Sequence, residues 1–228
     1  MTTTAPVTPT TDHAEAVHAG RIRLVAATLA AASATLAVLV VTHPWGERLD
    51  SSADDVLAYD QIVDNHANAW PAMLADVVAF GLVAVCAAIG VAHLVRGRGR
   101  AVATVGGVLV VLGGLLSAMG SFAFTTVVYF AAELPEGAGR DLVDTANDDV
   151  THLLGVEMAG FLLVTLGSLV LAAALLRGRV VPRPPVVAFV LLTIGLFAVT
   201  GTALDLVQAA QVLLAGALAI PLWRRSVA

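Results

Sequence analysis

A stretch without formal charge in the first half of the chain decides the fold. It covers residues 77–95 and reads VVAFGLVAVCAAIGVAHLV, between Asp76 and Arg96. An α-helix rises about 1.5 Å per residue, so these residues reach across the ~30 Å hydrocarbon core of a bilayer. The stretch therefore predicts a transmembrane helix.

Similar uncharged runs lie at residues 24–41, 101–132, 158–176, 184–204 and 206–223. The chain is 58% hydrophobic and 13% charged, whereas about a quarter of the residues in a soluble domain carry charge. We therefore predict an all-α integral membrane bundle of six transmembrane helices, which leaves too few residues for a large soluble domain. The predicted spans cover about residues 23–43, 72–95, 101–130, 152–176, 185–201 and 203–223.

The two ends of the first apolar run indicate what precedes the membrane domain. Residues 1–20 are rich in Thr and Pro and show no apolar period, which predicts a disordered cytoplasmic tail before a membrane domain at 21–228. The run itself is longer than the hydrophobic part of a signal peptide and is not followed by a small-residue cleavage site. We expect an uncleaved first span.

The arginines predict the orientation. All 12 basic residues are Arg, a bias that is typical of a GC-rich bacterial genome. With the N-terminus inside, only Arg48 and Arg140 lie outside and the other ten are cytoplasmic, in agreement with the positive-inside rule. We expect a multi-pass protein of the plasma membrane with both termini in the cytoplasm.

Both longer outer loops contain helical patterns. After Ser51 or Ser52, apolar residues recur at helical spacing through Val56, Tyr59, Val63 and Trp70, which predicts an amphipathic helix lying on the membrane surface. The second loop repeats this pattern more briefly in residues 142–150. We expect that segment to run directly into the fourth span.

Three acids lie within the outer parts of predicted spans, where an ionisable side chain is costly and suggests a function. They are Asp76, Glu157 and Asp205, and we predict that they bind an ion or ligand. A structural acid is the alternative for Asp76, and a helix cap in the run Thr202–Asp205 is the alternative for Asp205.

Polar residues at helical spacing share faces with these acids. Ser117 and Ser121 mark one side of the third span, and Gln208 follows Asp205 by one turn, so we include these three in the predicted ligand-binding site. The alternative is that they form hydrogen bonds between helices. Glycines 106, 113 and 120 recur every seven residues, a spacing that predicts close helix packing.

A weak internal repeat connects two of the acids. Residues 73–98 align with residues 154–179, which pairs Asp76 with Glu157 and the sequence Arg-Gly-Arg with itself. Duplication of a two-helix hairpin and biased composition explain this alignment equally well.

The sequence requires no cofactor. His43 and His152 are weak candidates for a shared outer metal or haem site, because no pair of histidines at i and i+4 fixes two ligands on one helix face. The single cysteine, Cys86, excludes an intramolecular disulfide. No glycine-rich loop follows a strand, so neither nucleotide binding nor a nucleic-acid partner is expected.

These patterns favour ion-linked or small-solute-linked transport through an outward-facing polar cavity with buried carboxylates. The alternative is a non-catalytic accessory or assembly protein that docks a membrane-protein partner or forms a homo-oligomer within the lipid bilayer. A haem or metal redox protein is a third, less favoured hypothesis. No catalytic motif is present, so the sequence favours a role other than that of an enzyme.

Overall fold

The structure describes residues 11–44 and 57–226, and for residues 11–15 it describes only the backbone. Helices joined by short connections make up the fold in these ranges. In this computed structural model the described ranges contain no strand. The helices are α1 (Thr11–Thr42), α2 (Tyr59–Leu94), α3 (Arg100–Glu133), α4 (Glu136–Asp148), α5 (Val150–Gly178), α6 (Arg183–Gly195), α7 (Thr202–Gly216) and α8 (Ala219–Arg225).

Five helical segments are long and apolar enough to cross a membrane. They are Ala16–Thr42, α2, α3, α5 and the continuous run Thr202–Arg225 formed by α7 and α8. The predicted span at 185–201 differs from these, because α6 has only 13 residues and extends for about 20 Å. The all-α fold is thus confirmed, and five of its helical segments have the length and composition that a transmembrane span requires.

The boundaries of α1 and α2 differ from the predicted ones. Helix α1 begins at Thr11, inside the segment predicted to be a disordered tail, and the His18 ring packs on that of His93 with 5.4 Å between centroids. Helix α2 continues through Pro71 for 36 residues, so residues 59–70 extend the second span instead of forming a separate surface helix. The predicted start of that helix at Ser51 or Ser52 lies outside the described residues.

The second loop also differs from its prediction, because it forms a distinct helix instead of running into α5. Asp149 interrupts the two helices with φ −131° and ψ 55°, and its side chain accepts a hydrogen bond from the His152 backbone N–H. Helix α4 buries Val143 against α2 and α3, which explains why the short amphipathic segment folds back over the bundle.

Glycine allows α3 and α5 to approach closely, as the seven-residue spacing predicted. A Cβ added to Gly113 would lie 2.6 Å from the backbone nitrogen of Val164, and one added to Gly120 would lie 2.5 Å from that of Glu157. A side chain larger than hydrogen does not fit at these distances. The crossing therefore fixes the depth of Glu157 relative to α3.

The bundle has two chemically different ends. At the end that we call the arginine end, Arg23 donates to the Ser226 carbonyl, Arg225 donates to the Leu94 carbonyl, and the turn at Gly99 meets the end of α5. At the opposite, acidic end, the His66 ring contacts the Glu133 carboxylate and the His43 ring contacts the Asp205 carboxylate. The chain leaves α5 at the arginine end and enters α7 at the acidic end, so α6 and the residues after it connect the two ends.

Candidate functional site

A cavity of about 420 Å³ lies between α2, α3 and α5 near the acidic end. We call it the carboxylate cavity, because Asp76 and Glu157 both line it. Its lining residues are Leu57, Ala58, Gln61, Ile62, Ala69, Met73, Asp76, Val77, Ser121, Phe124, Thr125, Val128 and Glu157. Two acids from distant parts of the sequence therefore reach the same cavity.

Helical periodicity brings Asp76 to the cavity. Ile62, Ala69, Met73 and Asp76 follow each other on α2 at intervals of seven, four and three residues, which places them on one face of the helix. The same face packs against α3, so Asp76 points into the bundle and is partly buried. Pro71 lies more than one turn earlier, and the helix stays continuous through it.

The close crossing of α3 and α5 holds Glu157 in position. The Ser117 hydroxyl donates to the Glu157 backbone carbonyl at 3.4 Å, and Ser121 lines the cavity together with Glu157. The Asp76 and Glu157 carboxylates are close enough to interact electrostatically. Repulsion between two ionised carboxylates favours a bound cation or protonation of one of the two acids.

The other predicted ligand residues lie elsewhere. Ser117 is 5% exposed and supports the α3–α5 crossing without lining the cavity. Asp205 is buried between α7 and α1, where its carboxylate lies 3.5 Å from Nε2 of His43, and Gln208 follows one turn later on α7. The N-cap of α7 is Gly201, so Asp205 belongs to the first turn of the helix. At this position the helix dipole favours an acidic side chain.

The two candidate metal-ligating histidines have different carboxylate partners. His43 pairs with Asp205, and Nδ1 of His152 lies 2.7 Å from each carboxylate oxygen of Asp149. The hydrogen bond from His152 lowers the pKa of Asp149 below its ordinary value. Among the described residues no group of three or more His, Cys, Asp or Glu side chains is arranged to hold a metal ion.

Arg140, which was not predicted as a site residue, connects α4 to the outer part of α2. Arg140 forms ion pairs with Asp60 at 2.8 Å and with Glu136 at 3.1 Å, and its guanidinium lies 4.6 Å from the centre of the Tyr59 ring. The hydrogen bond to Asp60 is the main cause that raises the Arg140 pKa. The only sequence signal was that Arg140 is one of two arginines predicted outside.

Asn147 makes the second connection between α4 and the cavity. Its Oδ1 accepts from the Leu57 backbone N–H, and its Nδ2 donates to the Leu57 carbonyl, both at 2.9 Å. Leu57 is 4% exposed and lines the cavity. Helix α4, which we call the α4 cap, is therefore attached to the segment that lines the carboxylate cavity at the acidic end.

A second cavity of about 180 Å³ lies nearer the arginine end, and we call it the apolar cavity. Helices α1, α2, α3, α5, α6 and α7 all contribute to its wall, which is apolar and consists mainly of aliphatic side chains together with Phe80 and Phe189. Ser168 and Gln211 are its polar lining side chains, and the Gln211 amide donates to the Thr193 hydroxyl at 2.8 Å. This space suits hydrocarbon and not an ion.

Comparison with known proteins does not assign the chain to a family, since no family model, no curated protein and no solved structure matches it significantly.

Proposed function

We propose that the protein binds a cation in the carboxylate cavity as part of ion-linked or small-solute-linked transport across the plasma membrane. The observation that carries this proposal is the meeting of Asp76 and Glu157, from different helices, in one cavity of about 420 Å³. Ionisable residues within membrane-spanning segments usually face a bundle interior or aqueous cavity and mark ion pathways.

The proposed topology has six crossings, with the arginine end in the cytoplasm. Helix α6 and residues 196–201 lead from one end of the bundle to the other, so they supply the crossing that α6 alone is too short to make. Of the arginines in the described ranges, only Arg140 lies at the acidic end. This asymmetry agrees with the positive-inside rule and places the carboxylate cavity on the outer side.

The chemistry of the paired carboxylates supports exchange of a proton for another cation. A cation between them offsets their mutual repulsion, and a proton on one acid does the same. Toward the arginine end, Val83 and Val164 line the apolar cavity, so the polar wall does not continue across the bundle. Transport therefore requires a second conformation in which the acids reach the cytoplasmic side.

Thermal stability in nanodiscs tests binding. Wild type and Asp76→Asn/Glu157→Gln are compared over a range of pH and with Na⁺, K⁺, Mg²⁺ and tetramethylammonium. A ligand that binds the folded state raises the melting temperature as its concentration exceeds Kd. We expect one cation or a pH step to stabilise wild type and the double variant to lose this response.

Asp205→Asn is the matched control, because it removes a buried acid that does not line the cavity. It should keep the cation response of wild type. If the double variant responds as wild type does, the cavity is not the binding site, and the accessory role becomes the better explanation. Capture of a membrane partner would then be the next experiment.

A further inference from the structure

The apolar cavity is large for a void inside a protein. Its volume of about 180 Å³ exceeds the ~150 Å³ of an engineered apolar cavity that binds benzene. Protein interiors are otherwise close-packed, and atoms that line an empty space lose attractive contacts with neighbours. Because the wall is aliphatic, water does not replace these contacts well, and a hydrocarbon does.

Loose packing of α6 forms this cavity. Helix α6 makes its principal contacts with α5 and α7, and the cavity separates Val186 and Phe189 of α6 from Ala84 and Val91 of α2. The bundle thus leaves space beside α6 that extends from mid-membrane toward the arginine end. A flexible acyl chain has the shape to fill such a space.

The chain segment that borders the cavity at the arginine end, which we call its mouth, is basic. Val181 and Pro185 line it, Arg183 lies between them in sequence, and Arg179 precedes them by two residues. Both arginines are exposed. No carboxylate is present among the side chains that the structure describes at this end, so neither arginine is neutralised by a described acidic neighbour.

We propose that the apolar cavity binds one acyl chain of an anionic phospholipid, whose phosphate lies against Arg179 and Arg183. Basic pockets between membrane helices on the cytoplasmic side attract anionic headgroups. Here the basic mouth and the aliphatic interior match the two chemical parts of one lipid. The lipid holds α6 on the bundle by filling the space that protein side chains leave.

Lipid titration followed by native mass spectrometry tests this proposal. Purified full-length protein in detergent is titrated with phosphatidylglycerol and with phosphatidylcholine that carries the same acyl chains. We expect one phosphatidylglycerol to bind more tightly than phosphatidylcholine. Arg179→Gln/Arg183→Gln should weaken phosphatidylglycerol binding by about thirtyfold, since each arginine contributes about fivefold.

Two further variants separate this site from general charge attraction. Arg96→Gln/Arg98→Gln removes the same charge from the same end, away from the cavity lining, and should leave the preference for phosphatidylglycerol unchanged. Ala215→Leu fills the cavity from α7 and should weaken the binding of both lipids. Glycerol phosphate, which has no acyl chains, should not compete with phosphatidylglycerol for binding. Melting curves confirm that each variant is folded.

Three results would overturn the proposal. The first is equal binding of phosphatidylglycerol and phosphatidylcholine to wild type. The second is an equal loss of phosphatidylglycerol binding in the two arginine double variants, which would indicate only surface attraction. The third is undiminished lipid binding in a folded Ala215→Leu variant, which would place the acyl chain outside the cavity.

Discussion

The carboxylate cavity and the apolar cavity lie at opposite ends of the same bundle and are built differently. The first is walled by α2 and the closely crossing pair α3 and α5, and side-chain hydrogen bonds and an ion pair attach the α4 cap to residues 57–60 beside it. The second is bordered by α6, which packs loosely. The comparison shows that close backbone contact and specific polar bonds position the charged side chains of the first cavity. At the second cavity, the packing of α6 depends on what fills the space beside it.

The largest expected effect is at the crossing that positions Glu157. Gly120→Ala places a Cβ 2.5 Å from the Glu157 backbone nitrogen, so α3 and α5 must move apart. Overpacking of this kind costs about 1–3 kcal/mol, and we expect a lower melting temperature. The cation response should weaken as well, because Glu157 moves away from Asp76.

Gly81→Ala is the matched control for this substitution. Apart from its chain neighbours and the nearby backbone of α2, no described atom lies within 4 Å of a Cβ added to Gly81. Alanine also has the higher helix propensity, so this variant should be at least as stable as wild type. Equal stability of the two variants would contradict the close contact of α3 and α5.

A smaller loss of stability is expected from Asn147→Ala, which detaches the α4 cap from Leu57. It leaves the N–H and the carbonyl of Leu57 without their side-chain partners, but both bonds are only partly buried, so water replaces Asn147 and each lost bond costs about 0.5 kcal/mol, the low end for a hydrogen bond. Amide hydrogen exchange at residues 57–62 should accelerate. Thr145→Ala serves as control, since the Thr145 hydroxyl donates to the Asp141 carbonyl of its own helix. Faster exchange at residues 57–62 in the Thr145→Ala variant as well would refute a specific role of Asn147.

Removal of the Arg140 ion pairs should have a still smaller effect. Arg140 and Asp60 are both exposed, with 45% and 78% of their side chains accessible, and exposed pairs are screened by water and salt. Arg140→Gln should lower the melting temperature slightly at low ionic strength and not at high ionic strength. A large loss that salt leaves unchanged would show that stacking on Tyr59, and not charge, holds the α4 cap.

The smallest expected effect is the pH dependence at Asp149. The hydrogen bond from His152 lowers the pKa of Asp149 in the folded protein. The ionised carboxylate therefore stabilises α5 at pH values above the ordinary pKa of an Asp side chain. This stabilisation is lost as the pH falls through the lower folded value. Asp149→Asn should therefore flatten the acid limb of melting temperature against pH, whereas Asp148→Asn should not, and identical curves for the two variants would exclude the cap.

The sequence predicted the features that depend on composition and on spacing along one helix. Charge-free runs predicted the five helices that are long enough to cross a bilayer, and the seven-residue glycine spacing predicted the α3–α5 crossing. The similar positions of Asp76 and Glu157 within their helices predicted that both belong to one site. All of these follow from local periodicity and from the length of helix that a bilayer needs.

Features that depend on which helices are neighbours were not predictable in this way. Asp205 has a depth similar to that of Asp76, yet α7 packs on α1, so Asp205 meets His43 instead of the cavity. Asn147 and Leu57 are 90 residues apart, and no periodicity relates them. The early end of α6 at Gly195 likewise has no counterpart in the uncharged run at 184–204.

Proton release on cation binding tests the central claim most directly, namely that Asp76 and Glu157 form one cation-exchanging site. Weakly buffered protein in nanodiscs is mixed with Na⁺, K⁺, Mg²⁺ or tetramethylammonium, and a pH-sensitive dye reports released protons. The account predicts that at least one cation releases protons from wild type and none from Asp76→Asn/Glu157→Gln. No release with any cation, or equal release from the double variant, would contradict it.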